Sequence, residues 1–263
     1  MPAAPLPPLP RSPSGLVLTG ERTLPGVPEE TYWFQRHVVA YRLAAARVRG
    51  EVVLDAGCGE GYGLEMLAEA GARRVIGVDL EPQVVAHVEA TYAARSPVIE
   101  AQAAELMSLP LADDEVDVTV SFQVIEHLHD IPGYLASLRR VTRPQGDILI
   151  ATPNRLTFTP GSDTPVNPFH TREFTAAELT HELERAGLRV ASVLGIHHGR
   201  RLRAIEAATR QPFTDHLTAS APHGWPAWLR TLVPRIGADW FEVRTDDLDA
   251  SLDLLAVCRV PRA

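Results

Sequence analysis

Three groups of residues in this chain have types and spacings that could do chemistry. The first is the run Val53-Leu54-Asp55-Ala56-Gly57-Cys58-Gly59-Glu60-Gly61-Tyr62-Gly63, which joins an apolar stretch to a helical one. Glycines there let the backbone approach a ligand closely, and amides at a helix start favour negative or electron-rich groups. A dinucleotide site wants G-x-G-x-x-G. Counted from Gly57 that pattern ends on Tyr62, and from Gly59 on Leu64, so a nicotinamide or flavin site is disfavoured. The second is Asp79, an acid that closes the apolar run Val75-Ile76-Gly77-Val78. The third is histidine, which can take a proton near neutral pH. His127 and His170 each follow a strand-like segment, where an open parallel sheet forms its ligand crevice. His197 and His198 follow another strand. His87 and His181 lie within helices and read as solvated, and His216 and His223 have no supporting pattern.

Missing residue types narrow the chemistry further. All 25 basic residues are arginine. Without lysine there is no Schiff base, hence no pyridoxal-phosphate or aldolase-type chemistry, and no Walker-type phosphate loop. A formal net charge of -8 argues against nucleic acid as a partner. Cys58 and Cys258 have no metal or redox spacing and fit a reducing cytoplasm. No apolar run reaches the roughly 18 residues of a membrane span, and no basic-then-apolar leader is present. Glu126, Asp130 and Asp163 could bind a divalent ion, but no ligand spacing compels it; they read as solvated acids, and no metal is expected.

The elements that must position these groups alternate between strand and helix. Strands are expected over 51–56, 74–79, 98–101, 116–121, 147–152, 189–196 and 252–260. Helices are expected from near Glu29, over 64–70 and 82–95, around Ile131 to Val141, and after the capping box Thr175-Ala-Ala-Glu178. Such alternation implies a parallel sheet with helices on both faces. Eight prolines precede residue 29, which predicts a disordered tail over 1–18 and a cap helix within 19–48. The main domain is expected over 49–196 plus 251–260. Residues 197–250, with Trp225, Trp228 and Trp240, read as a mostly helical insertion that could act as a lid.

Asp55-x-Gly57-x-Gly59-x-Gly61 after an apolar strand, followed by Asp79, resembles the motifs of class I S-adenosylmethionine-dependent methyltransferases. Glu105, four residues before Leu109-Pro110, resembles that family's acid near the adenine. Val116 to Val120 leading into Phe122-Gln123-Val124-Ile125-Glu126-His127 resembles its fourth strand and the loop after it. The resemblance covers about 50–196. It implies a Rossmann-like, seven-stranded, doubly wound α/β sheet whose last strand is antiparallel. It also implies S-adenosylmethionine as cofactor, held by Asp55, Gly57, Gly59, Gly61, Asp79, Glu105 and Gln123.

A closer resemblance lies in Tyr32-Trp33-Phe34, Arg36-His37, Thr152-Pro153-Asn154-Arg155 and the run from Asp163 to Glu173. These look like an actinobacterial methyltransferase group whose mycobacterial member is implicated in making methylglucose lipopolysaccharide. That implies O-methylation of hexose units on a cytoplasmic α-glucan or its oligosaccharide precursor. Such a transfer is mostly positioning, but a sugar hydroxyl is a poor nucleophile and needs a general base. His170 is the first candidate and His127 the second. The only two asparagines, Asn154 and Asn167, lie in one crevice loop, where amides can bridge sugar hydroxyls or simply build turns. Trp33 could stack on a sugar face. Two other readings stay open: a quinone, lipid or secondary metabolite as acceptor, and a cofactor-binding but non-catalytic partner in a polysaccharide-synthesis complex.

Overall fold

The computed structural model describes residues 23–262. The proline-rich segment 1–18 and the first part of the expected cap lie outside the described residues. The chain begins with α1 (Thr31–Ala45) and enters β1 (Val52–Ala56), α2 (Tyr62–Glu69), β2 (Arg74–Asp79), α3 (Pro82–Val88) and β3 (Ile99–Ala103). It continues through β4 (Val116–Phe122), α4 (Ile131–Val141), β5 (Thr142–Pro153), the short α5 (Arg155–Phe158), α6 (Ala176–Arg185) and β6 (Arg189–His198). Three helices, α7 (Arg200–Thr209), α8 (Phe213–Thr218) and α9 (Ala227–Leu232), precede β7 (Phe241–Arg244) and β8 (Asp253–Arg259).

The sheet has eight strands in the order β3-β2-β1-β4-β5-β8-β6-β7. The first five neighbours run parallel, and β8 runs antiparallel to both β5 and β6. The expected seven strands therefore gain one. β7 pairs antiparallel with β6 at the sheet edge, inside the stretch expected to be helical. Its four residues follow Trp240 too closely, and are too few, for alternation to be legible. The helix expected over 82–95 is α3 followed by a π-helical turn, Glu89–Ala93.

Side chains alternate across each strand, which sorts the core into two layers. Val53 of β1 and Val118, Val120 and Phe122 of β4 pack with α1, α2 and the segment after β6. Leu54 of β1, Val116 of β4 and Ile148 and Ile150 of β5 pack with α4 and α6. Because Asp55 points to the α1 side, the fold places it under Tyr41. Tyr32 of α1 touches His198, Phe213 and Phe241, so the segment 197–250 sits behind α1. Among the described residues no helix is long and apolar enough to cross a membrane.

Candidate active site

Two cavities meet at the ends of β1, β2 and β4. The first, about 320 Å³, is lined by Gly57, Gly59, Asp79, Glu105, Gln123 and His127, with Leu80, Met107 and Val124 as apolar walls. The loop after β1 takes positive φ at Gly57 (87°), Gly59 (53°) and Gly61 (102°), a region that favours glycine. Asp79 fixes this loop: its Oδ2 accepts from the Gly59 amide at 3.0 Å and its Oδ1 from the Glu81 amide at 3.0 Å. A Cβ on Gly59 would meet no protein atom within 4 Å, so the space beside it belongs to the cleft.

Two of the seven expected cofactor residues lie outside this lining. Asp55 is fully buried beneath the loop, where its Oδ2 accepts from the Tyr41 hydroxyl at 2.9 Å. Burial pushes its carboxyl up to about 7; the Tyr41 hydrogen bond pulls it down and Asp79 pushes it up. Its place is therefore to support the loop from below. Gly61 starts α2 against Val88 and Tyr92. Glu60 is also buried, held by His87 Nε2 at 2.9 Å and by the Tyr92 hydroxyl at 2.7 Å. His87 is thus a tether for the glycine loop rather than a solvated side chain.

The second cavity, about 250 Å³, is lined by Trp33, Arg36 and His37 of α1 together with Glu126, Phe158, Asn167, His170 and Asp253. Gln123 and His127 line both cavities. Gln123 holds a left-handed φ of 58°, its amide donates to Ala151 O at 2.8 Å, and its Nε2 donates to Asp253 Oδ1 at 3.3 Å. Arg36 donates to both oxygens of Asp253, at 2.8 and 2.5 Å. Its guanidinium also lies 5.1 Å from the Trp33 ring centre. Burial pushes the His37 imidazole down to about 4, where it stays neutral.

His170 is oriented from both sides. The Phe169 amide donates to Asn167 Oδ1 at 3.0 Å, which fixes that amide group. Asn167 Nδ2 therefore donates to His170 Nε2 at 3.0 Å, leaving Nδ1–H to donate to buried Glu173 at 2.8 Å. His127 packs edge-on against His170 with ring centres 4.9 Å apart, and its Nδ1 donates to Phe169 O at 2.9 Å. Beneath them Glu126 is 1% exposed. Its Oε2 accepts from the Thr152 hydroxyl at 2.9 Å, and its Oε1 has no hydrogen-bond partner among the described residues. Burial pushes its carboxyl up to about 8, against the pull of its own amide and Thr152.

Of the expected acceptor residues, Asn167 and Trp33 line this cavity and Asn154 does not. Asn154 is fully buried, with Nδ2 donating to the carbonyls of Leu248 (2.9 Å), Asp249 (3.1 Å) and Ser251 (2.9 Å). Its Oδ1 caps α5, so turn construction uses the whole amide. Asp130 caps α4 and Asp163 pairs with Arg155, so neither converges on Glu126. Trp225 is buried, with its ring N–H on the carbonyls of Leu217 and Ser220. None of residues 197–250 is among those lining either cavity. Sequence reading missed Arg36, Glu173 and Asp253 as site residues, because they come from α1, the loop before α6, and β8.

A mostly parallel sheet in this strand order, with a glycine loop after β1 and an acid ending β2, defines a Rossmann-like methyltransferase fold. Residues 54–150 match a family described as a methyltransferase domain. The chain is 47% identical over 256 residues to a protein of Mycolicibacterium smegmatis described as "Probable S-adenosylmethionine-dependent methyltransferase", covering 95% of this chain and 97% of that one. A protein of similar description from Mycobacterium tuberculosis is 45% identical over 258 residues, covering 95% and 92%. A solved S-adenosylmethionine-dependent methyltransferase from Mesorhizobium loti shares the fold, with a TM-score of 0.56 at 19% identity over 84% of this chain and 95% of that one. The chain belongs to the S-adenosylmethionine-dependent methyltransferases. It is an enzyme, and its cofactor is S-adenosylmethionine.

Proposed function

We propose that this enzyme O-methylates a hexose hydroxyl of an α-glucan or its oligosaccharide precursor in the cytoplasm. The observation that carries the reading is the His170–Glu173 pair in a cavity that shares Gln123 and His127 with the glycine-loop cleft. The cavity lining also suits a sugar ring. Trp33 and Phe158 offer apolar faces, and Arg36, Asn167 and Asp253 offer donors and acceptors. The resemblance to the methylglucose lipopolysaccharide group supports the same acceptor.

S-adenosylmethionine supplies an already activated methyl group. In this reading Gly57, Gly59, Asp79 and Glu105 hold the cofactor, and Gln123 forms the wall between cofactor and acceptor. Asn167 Nδ2 stands where an acceptor hydroxyl would donate to His170 Nε2. When the hydroxyl replaces that amide, His170 Nε2 takes its proton, and Glu173 stabilises the imidazolium through Nδ1–H. Asn167 and Trp33 position the acceptor.

The test is incubation with methyl-labelled S-adenosylmethionine and, in separate arms, α-1,4-oligoglucosides, quinones and lipids. Label on an oligoglucoside is the expected result. Label confined to a quinone or lipid overturns the saccharide reading.

A further inference from the structure

We propose that Glu126, His127 and His170 form a binding site for a divalent transition-metal cation. A carboxylate oxygen of Glu126 and one ring nitrogen of each histidine all lie within 4.8 Å of one another. Ligand atoms about 2.1 Å from one ion lie at most about 4.2 Å apart. Side-chain rotations of a few tenths of an ångström therefore close the set.

The hydrogen bonds around the cluster assign the ligand atoms. Thr152 holds Glu126 Oε2, while buried Oε1 has no hydrogen-bond partner among the described residues, so Oε1 is the oxygen assigned to the ion. A buried carboxyl oxygen without a hydrogen-bond partner is costly unless a ligand reaches it. Phe169 O takes the Nδ1–H of His127, and Glu173 takes the Nδ1–H of His170. Both imidazoles are thereby held in the tautomer that presents Nε2. Metal-bound histidines are supported the same way, with the other ring nitrogen donating to a carbonyl or carboxylate. Asn167 Nδ2 sits 3.0 Å from His170 Nε2 and must turn aside when a cation enters.

The donor set selects the class of ion. Two imidazoles and one carboxylate suit zinc, cobalt, iron or manganese, and leave coordination positions open. Magnesium and calcium prefer oxygen-only sets. The inference rests on the reading of this cavity as the acceptor site. An open position would then face the acceptor hydroxyl oxygen; with the ion bound, His170 would be a ligand, and the hydroxyl, acidified by the cation, would pass its proton to solvent as its oxygen takes the methyl group.

The full chain, stripped with a chelator, is titrated with cobalt(II) and zinc(II) by calorimetry, and the cobalt spectrum is recorded. One equivalent should bind with micromolar or tighter affinity. Glu126→Gln and His170→Ala, each checked for folding by circular dichroism, should weaken binding at least about 10-fold. Glu173→Gln should weaken it about 10-fold through ligand orientation. Asp79→Asn should leave cobalt binding unchanged. No binding up to millimolar metal, or binding unaffected by Glu126→Gln and His170→Ala, overturns the site. Oligoglucoside methylation by stripped enzyme that binds no metal would remove the site and keep the saccharide reading. Metal binding with no oligoglucoside methylated would do the reverse.

Discussion

Asp79 holds the loop amides of Gly59 and Glu81 with its two oxygens while lining the cleft proposed for the cofactor. Asp79→Ala should weaken S-adenosylhomocysteine binding about 10- to 100-fold by calorimetry, since hydrogen bonds to a charged group contribute about 1.5–3 kcal/mol. An unchanged dissociation constant would remove Asp79 from the cofactor site. In the proposed mechanism Glu173 acts through His170, so Glu173→Gln should lower kcat about 10- to 100-fold with little change in KM. An equal rise in KM would indicate an acceptor-binding role instead. The glycine loop and Asp79 were legible in the sequence because each is a contiguous pattern at a strand end. Arg36, Glu173 and Asp253 were not, because nothing local marks an arginine on α1 or an aspartate on β8 as neighbours of one cavity. Asn154 misled for a related reason. Its residue type suits sugar binding, but its partners are carbonyls nearly a hundred residues away.

Packing between α1 and α2 decides how the glycine loop is held. A Cβ on Gly63 would collide with the Tyr41 ring, the same ring whose hydroxyl holds Asp55. Gly63→Ala should therefore cost about 1–3 kcal/mol and lower Tm by roughly 2–10 °C in a chain of this size. A variant melting with the wild type would show that Tyr41 shifts freely. Asn154→Ala removes the cap of α5 and the donor to three carbonyls, at about 2–3 kcal/mol. Its urea midpoint should fall while S-adenosylhomocysteine affinity stays unchanged. At this scale the parallel strands and the capped helix α6 were legible from period and caps. β7 was not, because an edge strand of four residues depends on its pairing with β6 and carries little pattern of its own.

Across the whole molecule, buried carboxyls tie stability to pH. Asp55 has an ordinary value of 3.8 and is raised to about 7 by burial, with Tyr41 and Asp79 as its titratable neighbours. Between those values the folded chain keeps a proton that the unfolded chain releases. The contribution is therefore full at the acid end, lost as pH rises through the window, and flat above it. Asp55→Asn should match the wild type near pH 4 and exceed it at pH 8, by up to about 4 kcal/mol for roughly three units. Urea midpoints of both proteins at the two values check this, and parallel pH curves would refute it. Net charge and the missing lysines excluded whole classes of chemistry, but they could not show that the two cavities are built from chain of very different reach. The cleft proposed for the cofactor is lined by residues between Gly57 and Leu128. The cavity proposed for the acceptor needs Arg36 near the start and Asp253 near the end, joined by a buried ion pair. On the ribosome the chain lining the glycine-loop cleft is therefore complete long before that of the second cavity. A chain cut before residue 253 would lose β8, the strand between β5 and β6, together with the counter-charge of Arg36. Such a product would keep the glycine-loop sequence without the strand that joins the two parts of the sheet.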